Sequence, residues 1–218
     1  MENTIKKILL VDDHQIVIDG IKSMLDGNKN FRITAEALNG ENAMSLINKE
    51  EKQFDIVITD IFMPGMSGTD LCKKIKTFDP SVKVLVLSMH NHVNYVKEAL
   101  DADADGYLLK TVGKVEFLKA LEAIIEKGAY FTNEIIPLLY NEVRLQKNDI
   151  PKVKLTHRES EVLDLILKEY TSREIAEKLF ISKQTVDSHR ISIMEKTESK
   201  SIVGLIKFAL RTGVLLLN

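Results

Sequence analysis

Short apolar runs alternate with helix-period segments through residues 8–125, and this alternation restricts the possible folds more than any other feature of the chain. Four runs are continuous and rich in β-branched residues or leucine, as in parallel strands covered on both faces: residues 8–11, 56–58, 84–87 and 107–109. The run at residues 31–35 instead alternates apolar and polar side chains, which predicts an edge strand. Amphipathic segments predict one helix after each strand, at residues 15–25, 41–48, 70–76, 93–100 and 115–125. Five such units predict an α/β domain with a five-stranded, doubly wound parallel sheet.

Composition excludes several classes of protein. A chain of 218 residues with 44% hydrophobic and 28% charged residues is globular and long enough for one or two domains. The sequence contains no run of ~18 apolar residues, the length that a membrane-spanning helix needs. The charged amino-terminal segment lacks the apolar core of a signal peptide. The single cysteine, Cys72, cannot form an intrachain disulfide. We therefore expect a cytoplasmic protein without a membrane segment.

The two parts of the chain differ in the sign of their net charge. Residues 1–150 contain 23 acidic and 18 basic side chains, whereas residues 151–218 contain 9 acidic and 12 basic ones. We predict one domain over residues 1–128, a helical linker over residues 129–151 and a second domain over residues 152–218. The excess of basic side chains in the second domain predicts a polyanionic partner.

The second domain has start signals for four short helices. Thr156 and Thr171 are each followed three residues later by glutamate, which is the pattern of a capping box. Ser182 and Ser201 can cap two further helices. The second domain is therefore predicted to be a small all-α unit, and one more helix is predicted in the linker, at residues 134–146.

Polar side chains follow four of the five predicted strands. Asp12 and Asp13 follow the first strand, Asp60 the third, Ser88 the fourth and Lys110 the fifth. Ligands of doubly wound sheets bind beyond the carboxyl ends of the strands, so these side chains are expected to form one site. Clustered carboxylates suit Mg²⁺, which prefers oxygen ligands, and a carboxylate can accept a phosphoryl group as a nucleophile. The predicted chemistry is phosphoryl transfer.

These residues also resemble a known family. Residues 10–13 (Leu-Val-Asp-Asp), 60–68 (Asp-Ile-Phe-Met-Pro-Gly-Met-Ser-Gly), 87–88 (Leu-Ser) and 106–110 (Gly-Tyr-Leu-Leu-Lys) are similar to the receiver domain of two-component response regulators, a flavodoxin-like fold. The resemblance implies that a sensor histidine kinase phosphorylates Asp60.

The resemblance also assigns roles to the neighbouring residues. It implies that Asp13, Asp60 and the main-chain carbonyl of Phe62 ligate Mg²⁺ directly, and that Asp12 holds the ion through water. Lys110 and Ser88 would contact the phosphoryl group. Ser88 and Tyr107 would form the switch pair, in which the hydroxyl turns toward the phosphoryl group and the ring moves inward.

The chain departs from the receiver pattern at two positions. Thr111 follows Lys110, where many receivers have a proline with a cis bond, and a cis bond before a residue other than proline costs ~3 kcal/mol. Met89 follows Ser88, where small residues are common in the family, and its side chain is expected to narrow access to an acyl phosphate.

The second domain resembles the LuxR-type helix-turn-helix. The resemblance rests on the segments at residues 155–163, 172–182 and 185–190. Together with the receiver, these segments identify the chain as similar to response regulators of the NarL/FixJ class, which are transcription factors that bind duplex DNA. In the relatives the last helix supplies the dimer contact. Leu205, Phe208, Ala209 and residues 214–217 offer more apolar surface than a four-helix domain must bury, and we expect part of that surface to face a second copy.

Residues 183–196 are predicted to form the recognition helix, with Val186, His189 and Ile193 facing inward. By resemblance, Asp187, Ser188 and Ile191 occupy the positions that reach bases, and relatives often carry lysine at two of them. Asp187 and Ile191 would therefore lower electrostatic affinity and favour a cytosine amine or a thymine methyl. The predicted phosphate contacts are Lys183, Thr185, Arg190, Lys196 and Lys200.

Two other functions could use a similar acidic site. An aspartyl-nucleophile phosphatase usually carries a second aspartate two residues after the nucleophile on the first strand, whereas Asp12 and Asp13 are adjacent. A flavodoxin-like cofactor binder would need hydroxyls and amides where this chain has carboxylates. The helix-turn-helix would also have no role in a phosphatase, and turnover of a generic phosphate ester would separate an enzyme from a switch.

Overall fold

The computed structural model describes residues 5–49, 54–90, 92–131, 153, 155–168, 170–199 and 201–212. The chain divides into two compact units, residues 1–120 and 121–218. The predicted linker helix at residues 134–146 lies outside the described residues. The predicted domain boundaries at residues 128 and 151 therefore stay predictions.

A six-stranded sheet in the order β2-β1-β3-β4-β5-β6 forms the centre of the α/β fold. The pairs β1–β2, β1–β3, β3–β4 and β4–β5 are parallel. Five of the strands confirm the prediction, and the sixth has only two residues, too few for a periodic pattern to reveal it. The strands are β1 (Lys6–Val11), β2 (Phe31–Ala37), β3 (Ile56–Asp60), β4 (Lys83–Ser88), β5 (Gly106–Leu109) and β6 (Tyr130–Phe131).

The burial of the strands follows their position in the sheet. The five residues of the central strand β3 are all buried, whereas β2 has buried residues only at its two ends. This contrast confirms β2 as an edge strand, because a central parallel strand is covered on both faces. Helices follow the first five strands as predicted: α1 (Gln15–Leu25), α2 (Gly40–Lys49), α3 (Gly68–Phe78), α4 (Val93–Asp101) and α5 (Lys114–Glu126).

Between residues 153 and 212, the part of the chain that the structure describes contains the four helices predicted from the sequence. Thr156 and Thr171 close the two predicted capping boxes, and Ser182 and Ser201 each accept a backbone N–H near the start of their helix. Phe180 ends the second of these helices in the left-handed region (φ 54°), which turns the chain toward the third. The helices are α6 (His157–Leu167), α7 (Ser172–Leu179), α8 (Lys183–Lys196) and α9 (Ile202–Thr212).

The apolar residues expected on the last helix are buried where the structure describes them. Leu205, Phe208 and Ala209 are all buried, and Leu205 and Phe208 pack with Val162, Ile175 and other residues in the core of their own unit, so these three are not the part that would face a second copy. The four short helices need this apolar surface for their own core. Residues 214–217 lie outside the described residues.

Within the part of the chain that the structure describes, no helix combines the length and the apolar character needed to cross a bilayer.

Candidate functional site

The carboxyl edge of the sheet brings the predicted site residues together. Asp12 directly follows β1, Asp60 and Ser88 are the last residues of β3 and β4, and Lys110 directly follows β5. These strands are neighbours in the sheet, so their ends meet although the residues are far apart in sequence. Asp12, Asp60 and Ser88 are buried, and the side chain of Asp13 is partly exposed.

The loop between β3 and α3 packs tightly against the end of the central strand. A Cβ atom at Gly68 would lie 1.9 Å from the carbonyl oxygen of Asp60, so only glycine fits there. Gly68 also donates its N–H to the carbonyl of Ile61 at 3.0 Å. Gly65 adopts φ 78°, which favours glycine. The two glycines therefore allow the loop that carries Phe62 to turn back over Asp60.

Lys110 forms ion pairs with two of the three carboxylates, Asp12 and Asp60. Its Nζ lies 2.7 Å from Asp12 Oδ2 and 2.7 Å from Asp60 Oδ2, and its side chain is only 8% exposed. One ammonium therefore offsets part of the repulsion between two buried carboxylates. The sum of these three charges is still negative, which leaves the site attractive to a cation.

The carboxylate oxygens have the arrangement of a metal site. Ligand atoms of Asp12, Asp13, His14 and Asp60 all lie within 4.8 Å of one another. Asp12 Oδ2 and Asp13 Oδ1 are buried and lack a well-oriented hydrogen bond from the described residues. Each nevertheless has a nitrogen nearby, Lys110 Nζ at 2.7 Å and His14 Nδ1 at 2.8 Å. Hard oxygen ligands in this number fit a divalent cation such as Mg²⁺.

Burial and charge act in opposite directions on the ionisation of this site. Burial raises the pKa of Asp60, and the neighbouring Lys110 opposes that rise. Burial alone would lower the pKa of Lys110, but its contacts with Asp12 and Asp60 outweigh burial, so the pKa is raised. Lys110 therefore stays an ammonium that can attract the oxygens of a phosphoryl group.

Ser88 and Tyr107 both bond to the main chain of His90. Ser88 Oγ accepts the His90 N–H at 3.0 Å, and the Tyr107 hydroxyl donates to the His90 carbonyl at 2.6 Å. The Tyr107 ring is fully buried, and burial raises the pKa of its hydroxyl. The residue that links the predicted switch pair was missed in the sequence, because both bonds involve its backbone rather than its side chain.

Several large apolar side chains near the carboxyl edge of the sheet are exposed. They follow the ends of different strands, where they lie near the carboxyl edge of the sheet: Ile16 (81% exposed), Phe62 (48%), Met89 (63%) and Val115 (82%). The Phe62 ring also packs edge-on against Tyr95, with ring centres 4.9 Å apart. The peptide bond before Thr111 is trans, as are all the peptide bonds that the structure describes.

The predicted DNA-contacting residues of α8 differ in how freely their side chains are presented. Lys183, Thr185, Ser188 and Ile191 are exposed, and Val186 and Ile193 are buried as predicted. Asp187 is half-buried and pairs with Lys183 at 3.3 Å. Arg190 is half-buried, where its guanidinium donates to Ser172 Oγ at 3.1 Å, and His189 is also half-buried. Lys200 lies outside the described residues.

Glu159 makes contacts that the capping-box pattern did not predict. Its carboxylate is buried and accepts hydrogen bonds from Ser192 Oγ at 2.7 Å and from Lys196 Nζ at 2.7 and 2.8 Å. It also accepts the Thr156 N–H, as a capping box requires. The hydrogen bond from Lys196 is the largest cause that lowers the pKa of Glu159, to about 2.

Acid is expected to remove this contribution to stability. The pKa of Glu159 is about 2 in the folded chain and 4.5 ordinarily, so the ionised carboxylate stabilises the fold above pH 4.5 and this stabilisation is lost as the pH falls toward 2. Urea unfolding of the wild type and Glu159→Gln should therefore give free energies that differ near neutral pH and converge below pH 4.5. A difference that stays constant over this range would contradict the lowered pKa. In Lys196→Met the decline should be smaller and should end at a higher pH, because the pKa of Glu159 in the folded chain is then less lowered.

Comparison with known proteins assigns the chain to a family. Residues 8–122 match the family "Response regulator receiver domain", and residues 153–209 match "Bacterial regulatory proteins, luxR family". The chain belongs to the two-component response regulators. Its receiver domain is joined to a LuxR-type DNA-binding domain, as in the NarL/FixJ class.

This response regulator is similar to known regulatory proteins over nearly its whole length. It is 35% identical to the transcriptional regulatory protein DegU of Brevibacillus brevis, over 97% of this chain and 95% of the relative. RcsB from Salmonella enterica serovar Typhimurium, bound to promoter rprA in the presence of the phosphomimetic BeF3⁻, has TM-score 0.55 and 30% identity, over 95% of this chain and 99% of that chain. A structure of two RcsB dimers bound to two parallel DNAs has TM-score 0.56 and 28% identity, over 95% of this chain and 99% of that chain.

These similarities favour a response regulator over the other two functions that could use an acidic site, a phosphatase and a flavodoxin-like cofactor binder. The response regulator is a transcription factor, and neither a phosphatase nor a flavodoxin-like cofactor binder would match both families. Its acidic pocket of Asp12, Asp13 and Asp60 is consistent with a phosphorylated-aspartate site.

Proposed function

We propose that Asp60 accepts a phosphoryl group from a sensor histidine kinase and that this reaction controls DNA binding. The observation that carries the proposal is the position of Asp60 at the end of the central strand, with Lys110 Nζ 2.7 Å from its Oδ2. A carboxylate oxygen of Asp60 attacks phosphorus while the bond from phosphorus to the donor histidine nitrogen breaks. The electron pair of that bond stays on the nitrogen, and the product is an acyl phosphate.

The proposed cofactor is Mg²⁺. Asp13, Asp60 and the main-chain carbonyl of Phe62 would hold the ion directly, and Asp12 would hold it through water. The buried oxygens Asp12 Oδ2 and Asp13 Oδ1, which lack well-oriented hydrogen bonds from the described residues, support this set. When bound, the ion supplies positive charge that offsets the negative charge on the phosphoryl oxygens.

Lys110 and Ser88 would hold the phosphoryl group after transfer. Lys110 already lies beside Asp60 and can bond a phosphoryl oxygen as it now bonds the carboxylate. Ser88 Oγ would have to turn from the His90 N–H toward the phosphoryl group. The Tyr107 hydroxyl also donates a hydrogen bond to the His90 carbonyl, so a turn of the Ser88 hydroxyl away from His90 would move the segment that precedes α4. Ser88 and Tyr107 are therefore the proposed switch pair.

The exposed apolar residues near the carboxyl edge of the sheet are the proposed contacts with the kinase. Ile16 and Val115 are the most exposed of them, and both lie at the start of a helix on the carboxyl edge of the sheet. A small phosphodonor needs no such contact, because it can reach Asp60 without covering the rim of the pocket. Transfer from a protein and transfer from a small molecule should therefore respond differently to substitutions at the rim.

Ile16→Ser and Val115→Ser should each lower kcat/KM for transfer from a histidine kinase about tenfold, the loss expected for a central interface side chain. Transfer from acetyl phosphate should not change. Rates of radiolabelling with both donors measure this difference. Phe78→Ser is the matched control, because Phe78 is 59% exposed at the far end of α3. Equal losses with both donors would contradict a docking role.

For the second unit, we propose that α8 enters the major groove of duplex DNA. The proposed base contacts are Asp187, Ser188 and Ile191, and the proposed phosphate contacts are Lys183, Thr185, Arg190 and Lys200. The sequence also predicts a phosphate contact for Lys196, but its ammonium is bonded to Glu159. The exposure of Lys183, Thr185, Ser188 and Ile191 supports this orientation. The similarity to RcsB, whose dimers are bound to DNA in one structure, supports binding as a homodimer, at least when active. Half-sites would then lie about one helical turn apart, ~10 base pairs.

Asp187→Lys tests the proposed orientation of α8. The change replaces a negative charge at the groove by a positive one, so affinity should rise for every duplex and the salt dependence should steepen by about one unit. Discrimination at one base pair should fall by ~1 to 3 kcal/mol. Binding to randomised duplexes measures both effects. Asp164→Lys, the same charge change on α6, is the control, and an unchanged base preference in Asp187→Lys would mean that Asp187 faces solvent.

A further inference from the structure

Glu159 is the only buried charged side chain of the second unit among the residues that the structure describes. Glu159 lies in the first turn of α6, yet two of its hydrogen-bond donors, Ser192 and Lys196, are on α8. These two residues are one helical turn apart, so both bonds hold the same face of α8. The carboxylate therefore connects the first helix of the unit to the carboxyl-terminal half of the third.

The second capping box of the same unit provides a comparison. Glu174 accepts hydrogen bonds from the N–H and the hydroxyl of Thr171, at 2.7 and 2.8 Å, and its side chain is exposed. Capping a helix of this unit therefore requires neither burial nor a contact with α8. The bonds of Glu159 to Ser192 and Lys196 need another explanation.

We propose that Glu159 is a positioning residue for DNA recognition, which fixes the carboxyl-terminal half of α8 through Ser192 and Lys196 and withholds the Lys196 charge from DNA phosphates. The inference rests on the proposed function, because it takes α8 as the recognition helix. The amino-terminal half of α8 is fixed by Val186, which is fully buried. With both halves fixed, the base-contacting positions Asp187, Ser188 and Ile191 enter the groove at one angle.

The state of Lys196 has a consequence for the salt dependence of binding. A lysine that contacts a phosphate releases counterions and adds about one unit to the slope of log Kd against log salt. Lys196 is bonded to both oxygens of Glu159, so it should add nothing to that slope. Without the carboxylate, Lys196 would be free to contact phosphate, and α8 would lose the bond that fixes its orientation.

The test uses the full chain with beryllofluoride and Mg²⁺, and two DNA probes: a duplex selected by the wild type from a random pool, and a scrambled duplex. In Glu159→Gln, affinity for both duplexes should rise and the salt slope should steepen by about one unit. The ratio of the two affinities should fall severalfold, because α8 is no longer fixed at one angle. Glu174→Gln is the matched control and should keep the wild-type slope and ratio.

Lys196→Met keeps the test decisive if Glu159→Gln does not fold. We expect Lys196→Met to keep the wild-type salt slope, whereas loss of about one unit would mean that Lys196 contacts phosphate and would overturn the inference. A folded Glu159→Gln with the wild-type slope and ratio would also overturn it. A wild type that selects no duplex would instead overturn the proposed DNA contacts, and the inference with them.

Discussion

Asp60→Asn should abolish phosphorylation of the chain by acetyl phosphate in the presence of Mg²⁺. An amide oxygen is a far weaker nucleophile than a carboxylate, and the substitution also removes a charge from the proposed metal site. Labelling with radioactive acetyl phosphate, with and without EDTA, measures the effect. The wild type should incorporate label only when Mg²⁺ is present.

Asp55→Asn is the matched control for this substitution. Asp55 lies at the opposite end of β3, where it pairs with Lys6 at 2.9 Å and is away from the carboxyl edge of the sheet. This variant should be labelled like the wild type. Full labelling of Asp60→Asn, or of the wild type in excess EDTA, would contradict the assignment of Asp60 and of the metal.

Ser88→Ala should uncouple phosphorylation from DNA binding. Coupling between two sites is typically ~1 to 3 kcal/mol, so beryllofluoride should change the DNA affinity of the wild type by about 5- to 150-fold. Without its hydroxyl, residue 88 can no longer exchange the His90 N–H for a phosphoryl oxygen, and most of this change should disappear. Fluorescence anisotropy with a labelled duplex, with and without the mimic, measures both proteins.

Ser81→Ala is a suitable control, because Ser81 is exposed before the start of β4, at the other end of the strand from Ser88. Its response to beryllofluoride should equal that of the wild type. If the mimic binds Ser88→Ala and changes its DNA affinity as much as that of the wild type, Ser88 is not part of the switch.

Local patterns in the sequence predicted most of the α/β fold and also predicted that Asp12, Asp60, Ser88 and Lys110 meet at one edge of the sheet. Strands such as β3 and β4 are buried on both faces and are therefore continuous apolar runs that can be recognised without a structure. The polar residue at the end of each strand then marks the site, because parallel strands end at the same edge. The contact between Lys110 and both Asp12 and Asp60 follows from this rule.

Contacts between distant backbone and side-chain groups could not be predicted in the same way. The role of His90 depends on its N–H and carbonyl, which every residue has, so its identity gives no signal. The capping box explains only part of Glu159, because the pairing with Lys196 spans 37 residues and depends on how α6 and α8 pack. The sequence also could not show which apolar residues of the last helix belong to the core, as Leu205 does, because hydrophobicity alone does not distinguish a core from an interface.

Genomic footprinting of the wild type and Asp60→Asn, each with and without beryllofluoride and Mg²⁺, tests most directly whether phosphorylation of Asp60 controls DNA binding. We predict protected sites made of two related half-sites about 10 base pairs apart, and a change in occupancy when the mimic is added to the wild type. Asp60→Asn should show the same occupancy with and without the mimic. Absence of protection by the wild type, or wild-type occupancy that is the same with and without the mimic, would contradict control of DNA binding by phosphorylation of Asp60.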